Sequence, residues 1–160
     1  MLITSEYLTM QKQLHENPGY GTSGMKSAEL VKLFNDHDIL DYGCGKRTLE
    51  KALGFYIFNY DPAIEGLENN NQPHNILYCG DVLEHIEPHL LDDVLQDIRR
   101  CMLVRGLLVA STVAAKKTLS DGRNAHLIIE NADWWRDKLK QYFSITSEYI
   151  SGKNAFFWVE

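Results

Sequence analysis

Four clusters in this 160-residue sequence combine residue types and spacing that could do chemistry. The first is Asp41-Tyr-Gly-Cys-Gly45, an acid and a Gly-x-Gly turn that close a short apolar run. Gly43 and Gly45 would let the backbone approach a ligand, and a following helix would offer unpaired N–H groups. The second is Asp61-Pro62 after an aromatic run, where a carboxylate could accept hydrogen bonds from two ribose hydroxyls. The third is Asp81-Val82-Leu-Glu84-His85, again directly after an apolar run, and the ordinary near-neutral pKa of imidazole makes His85 a candidate base. The fourth spans residues 116–126 and carries Lys116, Lys117, Asp121, Arg123, Asn124 and His126. A lysine and a planar guanidinium there could clamp a carboxylate or phosphate. Each cluster also has a plainer reading: a tight turn at 43–45, a turn-forming Asp61 before proline, Glu84 and His85 as loop supports, and a solvated loop at 116–126.

The elements that must position these residues alternate along the chain. Helical spacing of Met25, Ala28, Val31 and Phe34 predicts a short helix over 25–35. Strands are expected over 38–42, 55–60, 75–79 and 106–112, with a helix over 47–53 stopped by Gly54. Pro88 suits a helix start, and Leu91, Val94, Leu95, Ile98 and Met102 form one apolar stripe behind it. Asn131 can cap a helix carrying Trp134, Trp135, Leu139 and Tyr142, whose indoles anchor the helix or stack on a substrate. Runs over 144–150 and 155–159 around a loop at 151–154 read as a hairpin. Strand–helix alternation implies a mostly parallel α/β sheet, Rossmann-like, of about six strands with a C-terminal antiparallel hairpin. Residues 1–24 read as polar and loop-rich, ahead of a single domain that takes in all of 1–160.

Composition narrows the function. A net charge of −6 disfavours a nonspecific nucleic-acid binder, which needs a basic excess. Cys44, Cys79 and Cys101 are odd in number and widely spaced, so neither a disulfide framework nor a zinc knuckle is expected, and no metal site is assigned. With no signal-like or membrane-spanning run, a cytoplasmic protein with reduced thiols is the expectation. Three decoys fall away. Gly19-Tyr-Gly-Thr-Ser-Gly24 is no phosphate loop, since Lys26 comes one place late; His85 and His89 are separated by Pro88; and a dinucleotide fingerprint would need glycine where Thr48 stands.

Taken together, Leu40-Asp-Tyr-Gly-Cys-Gly45, the acid Asp61 and Asp81-Val-Leu-Glu-His-Ile86 resemble, in order and spacing, the class I S-adenosylmethionine-dependent methyltransferases over roughly residues 20–150. More narrowly, Tyr60-Asp-Pro62 followed closely by Asp81-Val-Leu-Glu-His85 is similar to small methyltransferase-like proteins of bacteria and phages. The resemblance implies S-adenosylmethionine as cofactor, held by Asp41, Gly43, Gly45, Asp61, Pro62, Asp81 and Val82, with Tyr20 and Gly21 of residues 1–24 capping it. It implies methyl transfer to a small, phosphate- or carboxylate-bearing acceptor handled by His85, Lys117, Arg123 and His126; the alternative is a noncatalytic binding or scaffolding protein of the same fold. Two departures stand out. Arg47 occupies the place of the superfamily's usual third glycine, and the stretch between Asp61 and Asp81 is too short for the usual extra strand and helix. The absence of an Asn-Pro-Pro-Tyr motif disfavours a base-amine acceptor, and the glycine pattern disfavours a nicotinamide cofactor.

Overall fold

Apolar residues alternate along the strands in two sets, and the sheet is built from that alternation. A computed structural model describes residues 1–160. Strands β1 (Ile39–Tyr42), β2 (Phe58–Tyr60), β3 (His74–Gly80), β4 (Met102–Ser111), β5 (Ile145–Ser151) and β6 (Asn154–Val159) form one sheet in the order β2-β1-β3-β4-β6-β5. The first four are mutually parallel; β6 runs antiparallel to both β4 and β5. Side chains of successive strand residues point to opposite faces. Ile39, Ile76, Tyr78, Leu107 and Val109 therefore pack on one side, against Ala28, Val31, Leu49 and Leu53. Leu40, Leu77, Cys79, Leu108 and Ala110 pack on the other, against Val94, Leu95, Ile98, Trp135 and Leu139.

The helices follow the expected pattern with shifted ends. A 3-10 turn at Gly24–Ser27 leads into α2 (Ala28–Lys32), and α3 spans Thr48–Leu53 behind Gly54. Pro88 opens a 3-10 turn that feeds α4 (Leu91–Cys101), and α5 (Ala132–Leu139) is capped by the Asn131 side chain, which accepts from the Trp134 N–H. Trp135 is fully buried, so the indole anchors this helix. Met102 is the first residue of β4 and not the last of the helical stripe; it pairs across to His74, and an irregularity between His74 and Ile76 lets the strand start four residues before Gly106.

One element was not expected: α1 (Ser5–His15) precedes all of these. The Thr4 hydroxyl caps it by accepting from the Tyr7 N–H. Its inward face, Tyr7, Met10, Gln11 and Leu14, has helical spacing but is half polar, so its periodicity is weak. Tyr7 and Met10 bury Leu119 of the 116–126 segment. From Asp61 to β3 the chain makes only turns, with no further strand. No helix is long and apolar enough to cross a membrane.

Candidate functional site

In chain order β1 is followed by β2 on one side and β3 on the other, so the loops leaving β1 and β3 diverge. That switch point at the carboxyl ends of parallel strands is where open α/β sheets place their ligands. A cavity of about 520 Å³ lies there, within the usual size range for small-ligand sites. Tyr20, Gly21, Gly43, Gly45, Asp61, Pro62, Asp81, Val82, His85, Lys117 and His126 all line it; of the residues expected to hold cofactor or acceptor, Asp41 and Arg123 do not.

The Gly43–Gly45 turn forms the floor. A Cβ on Gly43 would clash with the Val82 side chain, and both glycines have positive φ. Gly43 and Cys44 N–H donate to the Tyr60 carbonyl at 2.7 and 3.0 Å, Gly45 N–H to Asp61 Oδ2 at 3.0 Å, and Lys46 N–H to the Gly21 carbonyl at 2.8 Å. These amides are thus already engaged, and the turn is not the free N–H cradle its glycines suggest. A pyrophosphate would find few donors there.

Asp61 follows β2 and is almost fully buried. Oδ2 accepts from Gly45 N–H and Oδ1 from Ala63 N–H at 2.9 Å, which fixes the carboxylate while each oxygen keeps a further lone pair. His15 Nε2 lies 4.0 Å away. Asp41, one strand over, is buried in the middle of the sheet beside Asn59 and Tyr78 in register. Burial, with help from the Asp61 and Glu50 carboxylates, pushes it up to about 8. Asp41 is thus enclosed within the sheet and does not line the cavity, so the structure does not bring it together with the other expected cofactor residues.

Asp81 adopts φ 55°, a left-handed conformation that aspartate tolerates better than most residues, at the edge of the cavity. After it, Glu84 is completely buried; Oε1 accepts from Ser111 N–H at 3.1 Å, Oε2 has no partner, and burial together with Asp81 raises the carboxyl to about 8. His85 Nδ1 lies 2.7 Å from the Ala125 carbonyl, which can only accept, so Nδ1 carries the proton. Burial, with His126 alongside, lowers His85 to about 4, which makes it a weak base. His126 Nδ1 likewise donates to the Val113 carbonyl at 2.6 Å.

Over the cavity, α1 is tied down by a chain of hydrogen bonds. Tyr20 donates to Gln11, whose amide donates to Tyr7 Oη, which donates to the His85 carbonyl. The Tyr20 ring meets His15 and His85 edge-on, with Lys117 Nζ 5.1 Å from its centroid. Residues 116–126 are not a floppy loop. Asn124 accepts from Ala115 and His126 N–H and donates to the Ala115 carbonyl, closing a tight excursion around buried Leu119. Arg123 is on its outer side, half exposed and paired with Asp121 at 2.7 Å. The structure thus does not bring it to the cavity beside Lys117, because Asp121 two residues earlier captures the guanidinium. Arg47 is also turned away, onto Glu50.

Four lysines line the cavity, Lys26, Lys116, Lys117 and Lys153, against two carboxylates, Asp61 and Asp81. Sequence reasoning missed His15, Gln11, Lys26 and Lys153. Lys153 reaches the site from the β5–β6 turn because its carbonyl accepts from Thr112 N–H at 2.8 Å, which docks that turn beside the end of β4.

No family model matches this sequence, and no curated protein is significantly similar to it. Solved structures do share the fold. The 1,6-didemethyltoxoflavin-N1-methyltransferase of Burkholderia thailandensis, with 1,6-didemethyltoxoflavin and S-adenosylhomocysteine bound, superposes with a TM-score of 0.69 at 12% identity, covering 99% of this chain and 90% of its own. DhpI in complex with SAH gives 0.65 at 15% identity over 98% of this chain and 93% of its own. The magnesium protoporphyrin IX methyltransferase of Synechocystis with bound SAH gives 0.57 at 13% identity over 97% and 94%. The chain has the fold of these methyltransferases, with a six-stranded sheet.

Proposed function

We propose that this chain is an S-adenosylmethionine-dependent methyltransferase acting on a small anionic acceptor. The observation that carries this reading is one cleft lined both by Asp61, fixed by two backbone amides, and by four lysines. The residues present fit the cofactor. Asp61 retains lone pairs for ribose hydroxyls, Gly43 and Gly45 keep the floor free of side chains, and Tyr20 with Gly21 roofs it. The engaged amides of the turn disfavour a dinucleotide.

When bound, the cofactor supplies an activated methyl group, and the protein's task is to align a nucleophile behind it. An anionic oxygen, carboxylate or phosphate, is deprotonated already and needs no base. That matches a cleft in which His85 is a weak base and Lys116, Lys117 and Lys153 carry positive charge. The lysines would orient the acceptor, and Lys117 is held in place over Tyr20. Arg47, paired with Glu50, leaves the cofactor end open, which weakens the case for a noncatalytic scaffold.

Calorimetry with S-adenosylmethionine, S-adenosylhomocysteine and a nicotinamide dinucleotide tests the cofactor: heat is expected for the first two only. A screen of small carboxylates, phosphates and phosphonates, read as S-adenosylhomocysteine formed and as methyl ester, tests the acceptor. Cofactor binding with turnover confined to neutral amines or phenols would overturn the anionic-acceptor reading.

A further inference from the structure

Glu84, His85 and His126 each present one ligand-type atom, and these atoms lie within 4.8 Å of one another. The two histidines come from separate segments, the 3-10 turn Leu83–His85 after β3 and the return of the 116–126 excursion, and they meet edge-on at 4.7 Å between ring centroids. A backbone bond from Ile128 N–H to the Glu84 carbonyl, 3.0 Å, clips those segments together. Both rings donate Nδ1–H to backbone carbonyls, of Ala125 and Val113, which leaves the Nε2 lone pairs as the only ring atoms able to accept or coordinate. This is the outer-sphere arrangement that orients histidine ligands in metal sites.

The second observation is independent of the histidines. Glu84 Oε2 is enclosed and has no partner in the protein, although Oε1 is satisfied by Ser111 N–H. A buried polar oxygen without a partner is uncommon and calls for one. A cation beside it would supply that partner.

We infer that Glu84, His85 and His126 form a site for a divalent first-row transition ion of the Zn²⁺ type, open on the cleft side. Two imidazoles and one carboxylate suit such ions better than Mg²⁺ or Ca²⁺, which prefer all-oxygen shells. Metal–ligand distances of about 2.0–2.2 Å put tetrahedral neighbours ~3.4 Å apart, so the three groups, whose ligand-type atoms lie within 4.8 Å of one another, would close on an ion by side-chain rotation. His85 and His126 line the cleft, so the remaining coordination position opens onto it. An acceptor carboxylate or phosphate could place one oxygen there. That last point alone rests on the proposed methyl transfer; the ion site does not.

The test uses Co²⁺ alone, with no methyl donor, on the whole chain. Expected is a saturable visible absorption of one Co²⁺ per chain, displaced by Zn²⁺ and weakened about 10- to 100-fold or more in His126→Ala. His37→Ala, exposed and outside the cleft, should leave it unchanged. Because His126→Ala could fail to fold, the wild-type chain labelled with ¹⁵N-histidine provides a second reading: Zn²⁺ should shift the Nε2 signals of His85 and His126 and leave those of His37 and His74 in place. Absence of a saturable band, a band undiminished in folded His126→Ala, or shifts at other histidines only would overturn the inference. Each of these results leaves cofactor calorimetry unaffected, so the two readings fail separately.

Discussion

Gly45 and Gly21 lie backbone against backbone: a Cβ on Gly45 would sit 2.6 Å from the Gly21 carbonyl oxygen and 2.8 Å from its Cα. Neither atom belongs to a side chain that could swing aside, and Gly45 itself has φ 49°. Gly45→Ala should therefore separate the N-terminal segment from the cofactor turn and cost about 1–3 kcal/mol of stability. Urea unfolding checks this, with Gly19→Ala, where the nearest atom is 3.4 Å away, as a near-neutral control.

Asp61 has two tasks, holding Gly45 and Ala63 N–H and, on the proposed reading, accepting ribose hydroxyls. Asp61→Ala should weaken S-adenosylmethionine binding by about 1.5–3 kcal/mol, roughly 10- to 150-fold, as expected for hydrogen bonds to a charged group. It should also lower the melting temperature, because two buried amides lose their acceptor. Asp61→Asn keeps one acceptor oxygen and should fall between. Calorimetry alongside thermal melting separates the two tasks.

Lys117 and Arg123 should behave in opposite ways. Lys117→Met removes a cation from the cleft and should lower the specificity constant for an anionic acceptor by about 10- to 150-fold while leaving cofactor affinity nearly intact. Arg123→Ala removes only an outward pair with Asp121 and should change the same constant by no more than about twofold. Steady-state kinetics with an acceptor found by the screen decides between them.

Asp41 gives the stability of the fold a pH dependence. In the folded chain its carboxyl holds a proton up to about 8, whereas in the unfolded chain it ionises near the ordinary aspartate value of 3.8. Across that window the native state binds more protons than the unfolded state, so this group's contribution is full below pH 3.8 and is lost as pH rises towards 8. Asp41→Asn should remove that decline and be more stable than wild type at neutral pH, with the gain shrinking at acid pH. Melting temperatures of both proteins from acid to mildly alkaline buffer measure the difference. Equal slopes would contradict the burial of Asp41.

The sheet was legible because its strands are apolar on both faces and end in glycine or acid, signals that are local in sequence. Ile39-Leu40 and residues 76–79 announce themselves, and so does the shortened segment after Asp61. Helix α1 was not legible: its buried face includes Gln11, which is inside only because Tyr7 and Tyr20 satisfy its amide. The site divided along the same line. Residues next to strand ends were found, whereas Lys153 and His15 reach the cleft through contacts far apart in sequence. Arg123 misled because its nearest competitor for charge, Asp121, is decided by loop geometry. Asp41 misled because position in a motif does not reveal which way a strand side chain points.

Strand β6 is the last of the sheet in chain order, yet it lies between β4 and β5. During synthesis the four parallel strands can assemble first, but β4 then presents an unpaired edge from Gly106 to Ser111, and β5 has no neighbour to join. Open edges of that kind invite pairing with other chains. Only when residues 154–159 have left the ribosome can they slide into the gap and dock the lysine-bearing turn against the cleft. The sheet thus depends on β6 for both protection of the β4 edge and a finished binding site, and a chain cut before Asn154 would lack both.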